Sequence, residues 1–282
     1  EKVGEEERAD PADEELYGVF GVRVRVVTMR LGRESVRLQQ FLAPEGRAVP
    51  PDGRGNDLWF QHIALVVADM NAAYQRLRAH GARHISSGPQ RLPDWNPNAG
   101  GIEAFYFKDP DGHAMELIHF PKGKGDSRWQ EAGGRLFLGI DHTAIAVRDT
   151  EESVLFWRDR LGFRVAGSSE NYGTEQEHLN GVFGARLRIT ALRAPEGPGV
   201  ELLEYLAPRD GRPRPGGTKA NDLIHWQTEV DVSGLDGVVD ATRGSWVSPG
   251  AVTLREPSGA THRAAIVADP DGHAVLLVET KP

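Results

Sequence analysis

One six-residue phrase constrains this chain more than any other feature. Asp109-Pro110-Asp111-Gly112-His113-Ala114 returns as Asp269-Pro270-Asp271-Gly272-His273-Ala274, about 160 residues later. Pro presets φ, Asp tolerates a turn and Gly supplies positive φ, so each copy reads as a tight turn. Each turn feeds an apolar strand, Met115-Glu116-Leu117-Ile118 or Val275-Leu276-Leu277-Val278. Other phrases repeat at offsets of about 160 to 165. Leu16-Tyr17-Gly18-Val19-Phe20-Gly21 becomes Leu179-Asn180-Gly181-Val182-Phe183-Gly184, and Asn56-Asp57-Leu58 becomes Asn221-Asp222-Leu223. The chain is a duplication.

Each half divides again. Leu58–Val67, apolar and β-branched, contains His62 and leads to Asp69 as a helix cap. Helical spacing follows over Met70–His80, with Gly81 as the stop. Beyond a turn-rich stretch with Trp95, strands at Gly101–Lys108 and His113–Phe120 flank the first turn. Phe137–Val147, containing His142, opens a unit in the same way. Asp149 caps a helix with Val154, Leu155, Trp157 and Leu161 as its apolar positions.

The result is an α+β chain of four βαβββ units, at residues 1–55, 56–120, 137–215 and 216–282. Residues 121–136 read as a linker between the halves 1–120 and 137–282. Residues 1–14 read as an acidic loop, followed by strands at Val22–Val26 and Ser35–Leu42 and a loop over 44–55. Mapped by the repeat, Glu1 falls just after an opening strand and helix. The first unit is therefore expected to lack both, and Glu1 is not read as the gene's start.

Composition removes several classes of function. The net charge of −8, without a basic run, argues against nucleic acid. No apolar stretch approaches the roughly 18 residues of a membrane span. The absence of Cys excludes disulfides, thiolate ligands and Cys nucleophiles. It fits a cytoplasmic protein by default, without excluding a periplasmic or secreted one.

With these residues in place the chain resembles the vicinal oxygen chelate superfamily, which includes glyoxalase I, extradiol dioxygenases, methylmalonyl-CoA epimerase and bleomycin resistance proteins. His62 and His142 each stand seven residues before a capping Asp, and Glu116 stands four after Gly112 of the first turn. The resemblance implies paired modules, each pair curling into an open-barrel cup around a divalent metal, a small-molecule substrate and room for a homodimer. It also implies one ligand from the first strand and one from the last strand of each module. Those positions are Arg37 in unit one, His62 and Glu116 in unit two, His142 and Glu201 in unit three, and Gln227 and Leu276 in unit four.

Pairing units two and three would assemble His62, Glu116, His142 and Glu201. Such a set suits Fe, Mn, Co, Ni or Zn, with Glu116 and Glu201 as acid–base groups. Pairing one with two and three with four would instead leave His142 and Glu201 to be completed by His225. Glu204 is the alternative to Glu201 on the opposite strand face. The reading favoured is a metal-dependent isomerase or lyase acting through proton transfer on a substrate held by adjacent oxygens. An Fe(II) extradiol-type dioxygenase is one alternative. A metal-free binding protein walled by Trp59, Trp95, Trp157 and Trp226 is another. His113 and His273 read as structural. The alternating pairs Arg23/Arg25 and Arg186/Arg188 read as a solvated sheet face, or else as an anion clamp. Stretches 86–100 and 166–178, the latter containing His178, read as loops shaping the pocket.

Overall fold

The structure is a computed structural model that describes residues 1–242, 247–255 and 259–280. Unit one supplies β1 (Lys2–Arg8), α1 (Pro11–Tyr17), β2 (Arg23–Leu31) and β3 (Glu34–Ala43). Unit two supplies β4 (Gln61–Val67), α2 (Met70–Ala79), the short β5 (Arg83–His84) and β6 (Gln90–Arg91), β7 (Glu103–Lys108) and β8 (Ala114–His119). Unit three has β9 (Phe137–Val147), α3 (Thr150–Val154) continuing into a π-helical stretch Leu155–Arg160, β10 (Arg164–Tyr172), α4 (Thr174–Asn180), β11 (Arg186–Arg193) and β12 (Gly199–Ala207). Unit four has β13 (Gln227–Val232), α5 (Leu235–Ala241), β14 (Val252–Arg255), β15 (Thr261–Ala268) and β16 (Ala274–Glu279). No helix among the described residues is long and apolar enough to cross a membrane.

Two expected loops are ordered elements. Residues 1–14 form β1 and the start of α1, which Asp10 caps through the amide of Ala12. The acids of β1 do not break the strand because they face cations on its neighbour, Glu7 against Arg23 and Glu5 against Arg25. The stretch 166–178 falls in β10 and α4. Its polarity is that of an edge strand exposed along most of its length, where no apolar alternation is needed. The arginines of both copies are tied up in ion pairs, Arg186 with Glu170 and Arg188 with Glu151 and Glu204.

The largest sheet has nine strands, in the order β10-β11-β12-β9-β4-β8-β7-β5 with β6 beside β7. Its centre is the antiparallel pair β4–β9, the opening strands of units two and three. Hydrogen bonding thus joins the middle units into one curved sheet across the sequence halves. Unit four forms its own sheet, β13-β16-β15-β14, and unit one the sheet β1-β2-β3. These outer units pack together through Leu16, Tyr17, Val24 and Val26 against Val252, Leu254, Ile266 and Leu276. The π-helical stretch buries Phe156 and Trp157 between unit three (Ile145, Leu192, Leu202) and unit four (Val267, Leu277, Leu235).

The duplication reappears as crossed braces. Arg212 donates from its amide and guanidinium to Asp57, and Arg47 does the same to Asp222. The amides of Leu58 and Leu223 return bonds to the carbonyls of Arg212 and Arg47. Each loop that leaves a closing strand thereby fastens to the start of the partner unit. The twin turns do similar work: His113 Nε2 meets the Leu223 carbonyl and His273 Nε2 the Ala146 carbonyl, both at 2.8 Å.

Burial pushes the Asp222 carboxyl up, but hydrogen bonds from Arg47 and from the amides of Lys219 and Arg47 pull it down to about 2. A folded value below the unfolded one contributes stability above about pH 4 that is lost as pH falls through about 2. Asp222→Asn is expected to cost about 2 kcal/mol at pH 7 and to flatten the acid dependence across that window. Urea unfolding at pH 7 and pH 3 measures both effects.

Candidate metal centre

The sheet register sets out the centre before any side chain is considered. On one row across β12, β9, β4 and β8 lie Glu201, Ala144, His62 and Ala114. The next row on the same face holds Gly199, His142, Ala64 and Glu116. Four donor residues thus alternate with Gly and Ala in a checkerboard. The methyl groups of Ala64 and Ala144, both fully buried, leave the space between the donors open. In unit four the same ladder puts Ala274 opposite Gln227 and Leu276 opposite Glu229, so no equivalent set of donors forms there.

His62 Nε2 lies 3.0 Å from Glu116 Oε2, and His142 Nε2 lies 3.4 Å from the same oxygen. One ligand atom from each of these three residues falls within 4.8 Å of the others. Glu201 Oε2 approaches His142 Nε2 at 3.5 Å from the rim, with its side chain 24% exposed. His62, by contrast, is 1% exposed; its Nδ1 has no partner, and its Nε2 lies against the Glu116 carboxylate without the geometry of a hydrogen bond. A buried imidazole left so costs desolvation without return, and a cation shared with Glu116 removes that cost.

The electrostatics agree. Burial raises the Glu116 carboxyl, but the His142 and His62 imidazoles beside it outweigh this and hold the group below the usual range. Burial lowers His142, but Glu201, Asp141 and Glu116 together lift it well above the ordinary imidazole value. Three carboxylates around two imidazoles therefore call for positive charge, which a proton on His142 or a divalent ion can supply.

One orienting residue is absent from the sequence reading. The ladder partner of Ala64 is His142 and that of Leu65 is Ile140, so Asp141 is the extra residue of a β-bulge. The bulge puts Asp141 Oδ2 2.9 Å from His142 Nδ1, which donates to it and leaves Nε2 facing Glu116 and Glu201. Asp141 is fixed in turn by Trp129 Nε1 at 3.0 Å and by Arg193, which reaches both its carboxylate and its carbonyl. A Cβ at Gly199 would overlap the Arg193 guanidinium, so glycine there opens the approach. Trp129 comes from the 3-10 turn Ser127–Gln130 inside the expected linker. The available signal was the difference between Asp141 and its counterpart Gln61, which bonds to Thr143 instead.

The remaining candidates lie elsewhere. Glu204 faces away and is held by Thr150, Arg188 and Arg209. His225 belongs to unit four, where Nε2 meets Gln227 Oε1 at 3.3 Å, and it cannot complete a site with His142 because unit three pairs with unit two. Of the tryptophans, Trp157 is core, Trp95 stacks on exposed Tyr172, Trp59 lies under Arg212 and Trp226 meets His113. The ring nearest His62 is that of Tyr106, at 4.6 Å, with Phe60 at 5.7 Å. The strap over 92–101 buries Leu92 and Ala99 against Tyr106 and Tyr205, and Asn96 and Asn98 tie it to β10.

Comparison with known proteins gives three findings. A family model described as Glyoxalase/Bleomycin resistance protein/Dioxygenase superfamily matches residues 18–117 and 139–277. The 2-epi-5-epi-valiolone epimerase of Actinomyces sp is 35% identical over 100 residues, which are 35% of this chain and 52% of the relative. The chain thus matches about half the length of that relative. Glyoxalase I from Zea mays superposes on 99% of this chain and 83% of its own, with a TM-score of 0.58 and 17% identity. A mutant of the maize enzyme gives 0.59 and 16% over the same shares. At such identity the likeness is one of fold.

Proposed function

The chain belongs to the Glyoxalase/Bleomycin resistance protein/Dioxygenase superfamily, and on that premise we propose that it is a metal-dependent enzyme inverting a C–H stereocentre beside chelated substrate oxygens. The observation that carries this reading is the convergence of His62, Glu116 and His142 on one buried point, with Glu201 at its rim. The likeness to an epimerase supports stereocentre inversion over other chemistries of the superfamily.

His62, Glu116 and His142 would hold a divalent ion such as Fe, Mn, Co, Ni or Zn, with Glu201 as a fourth donor. When bound, the ion supplies Lewis-acid polarisation of two adjacent substrate oxygens. Inversion needs a proton removed from one face of a carbon and returned to the other. Glu116 on β8 and Glu201 on β12 flank the central strands from opposite sides, as a two-base exchange requires. Glu201, partly exposed and free of arginine partners among the described residues, takes the first proton. Tyr106 stays a neutral phenol because burial and then Glu116 push its ionisation well above the ordinary value. It walls the side of His62 and excludes water there.

The test is solvent isotope exchange. Protein loaded with each of the five metals is incubated in D₂O with 2-epi-5-epi-valiolone and simpler cyclic hydroxyketones. Deuterium entering one stereocentre without O₂ uptake, with about one ion per chain, is the expected result. Three buried donors without Glu201 are also a two-His-one-carboxylate set. Fe(II)-dependent O₂ uptake without exchange would therefore favour the dioxygenase reading. Less than about 0.1 bound ion under every condition would remove both.

A further inference from the structure

The duplication carries a second pocket, and its two copies differ in chemistry. In the first copy the loop before β4 and the turn before β8 enclose a cleft lined by Val49, Trp59, Phe60, Ile85 and Trp226. In the second, the matching loop before β13 and turn before β16 enclose a larger one, of about 290 Å³. Val49 packs against Gly112 in the first turn, and the Arg214 stem packs against Gly272 in the second. The repeat therefore replaces Val49 by Arg214, Gly53 by Thr218 and Phe60 by His225, while Arg54 becomes Lys219. Arg54 and Lys108 also line the first cleft, Arg54 being paired with Asp210, so what the second pocket gains is Arg214 in place of the apolar Val49.

We propose that this second pocket binds a small phosphomonoester through its phosphate group. Arg214 is half-buried, and its guanidinium donates to the Gly272 carbonyl. No carboxylate among the described residues lies within ion-pair distance of Arg214 or Lys219. Asp269 and Asp222 act on Arg214 through charge alone: Asp222 is bound by Arg47, and Asp269 takes the amides of Asp271 and His273 on Oδ1, its Oδ2 having no hydrogen-bond partner. Apart from the bond to Gly272, the guanidinium donors of this half-buried side chain are taken by no described group, which leaves them for the oxygens of a ligand.

Pro215, Gly217, Thr218 and Lys219 of the loop that follows Arg214 line the same pocket, with Gly217 at φ +67°. The amides of Gly216, Gly217 and Thr218 donate to no group among the described residues. Glycine-rich turns with free amides make concave anion sites. A fork of guanidinium N–H groups, an ammonium and backbone amides suits the three terminal oxygens of a phosphate better than the two of a carboxylate. His225, also in the lining, is held neutral because burial and Arg214 push it down to about 4. The volume exceeds that of phosphate alone and leaves room for a short organic stem toward Val247 and Ala274.

Isothermal titration of the full chain with inorganic phosphate and with glycerol 1-phosphate, in chloride buffer, tests the proposal. Saturable binding is expected, with the ester tighter than the free anion. Arg214→Gln and Lys219→Gln should each weaken it at least about tenfold. Glu116→Gln should leave it unchanged, which separates this pocket from the metal centre. Lys219 is exposed, so its variant tests the site even if Arg214→Gln misfolds. The proposal is overturned by no saturation below about 10 mM, by binding that survives the Lys219 change, or by binding lost with Glu116→Gln. Equal affinity for phosphate and ester would overturn the monoester assignment.

Discussion

Glu116→Gln is expected to lower metal-dependent turnover on the order of a thousandfold while leaving the fold intact. The carboxylate is buried and lies within 3.4 Å of both His62 and His142. Gln matches its volume but removes the charge that binds a cation. It also removes one cause of the raised His142 value, so that imidazole loses part of its reason to be charged. His62→Ala and His142→Ala should each remove the same single equivalent of metal, because β4 and β9 place both rings over one point with centroids 5.8 Å apart. Metal analysis of the dialysed variants checks this. Two independent half-equivalents would break the shared-site assignment, and Glu116→Gln turnover within about threefold of the parent would end its catalytic one.

Asp141→Asn should reduce metal affinity by about 10–100-fold without a matching loss of thermal stability. The carboxylate accepts from His142 Nδ1, which leaves Nε2 turned toward Glu116 and Glu201. An Asn amide can turn its NH₂ toward that nitrogen and select the wrong tautomer. The pH dependence distinguishes orientation from simple disruption. Asp141 helps raise His142, so a proton competes with metal to higher pH than for an ordinary imidazole. Asn weakens that competition, and the deficit of the variant should therefore be largest at high pH and smaller at low pH. A uniform deficit that tracks melting temperature would mean that Asp141 only supports the bulge.

Legibility in the sequence followed the range of the physics. The turns, the capped helices and the strands carrying His62, Glu116, His142 and Glu201 are local, and each is written in adjacent residues. The edge strand β10 was not legible, since a strand in water on both faces needs no apolar alternation. β1 was hidden because its stability lies in arginines some twenty residues away on β2. Asp141 was missed because a bulge exists only relative to a partner strand. Trp129 was missed because a 3-10 turn in a polar linker does not announce what its one buried ring will touch.

By itself the sequence determined the duplication, the four βαβββ units, and the confinement of matched His and Glu positions to the two middle ones, because residue type and local spacing suffice for each. Which units pair was decided only by tertiary structure. Two open strand edges can satisfy their hydrogen bonds with any partner of suitable twist, and no nearby residue names that partner. The choice of β4 against β9, with the crossed Arg47–Asp222 and Arg212–Asp57 braces, gathers donors from distant parts of the chain over two alanines.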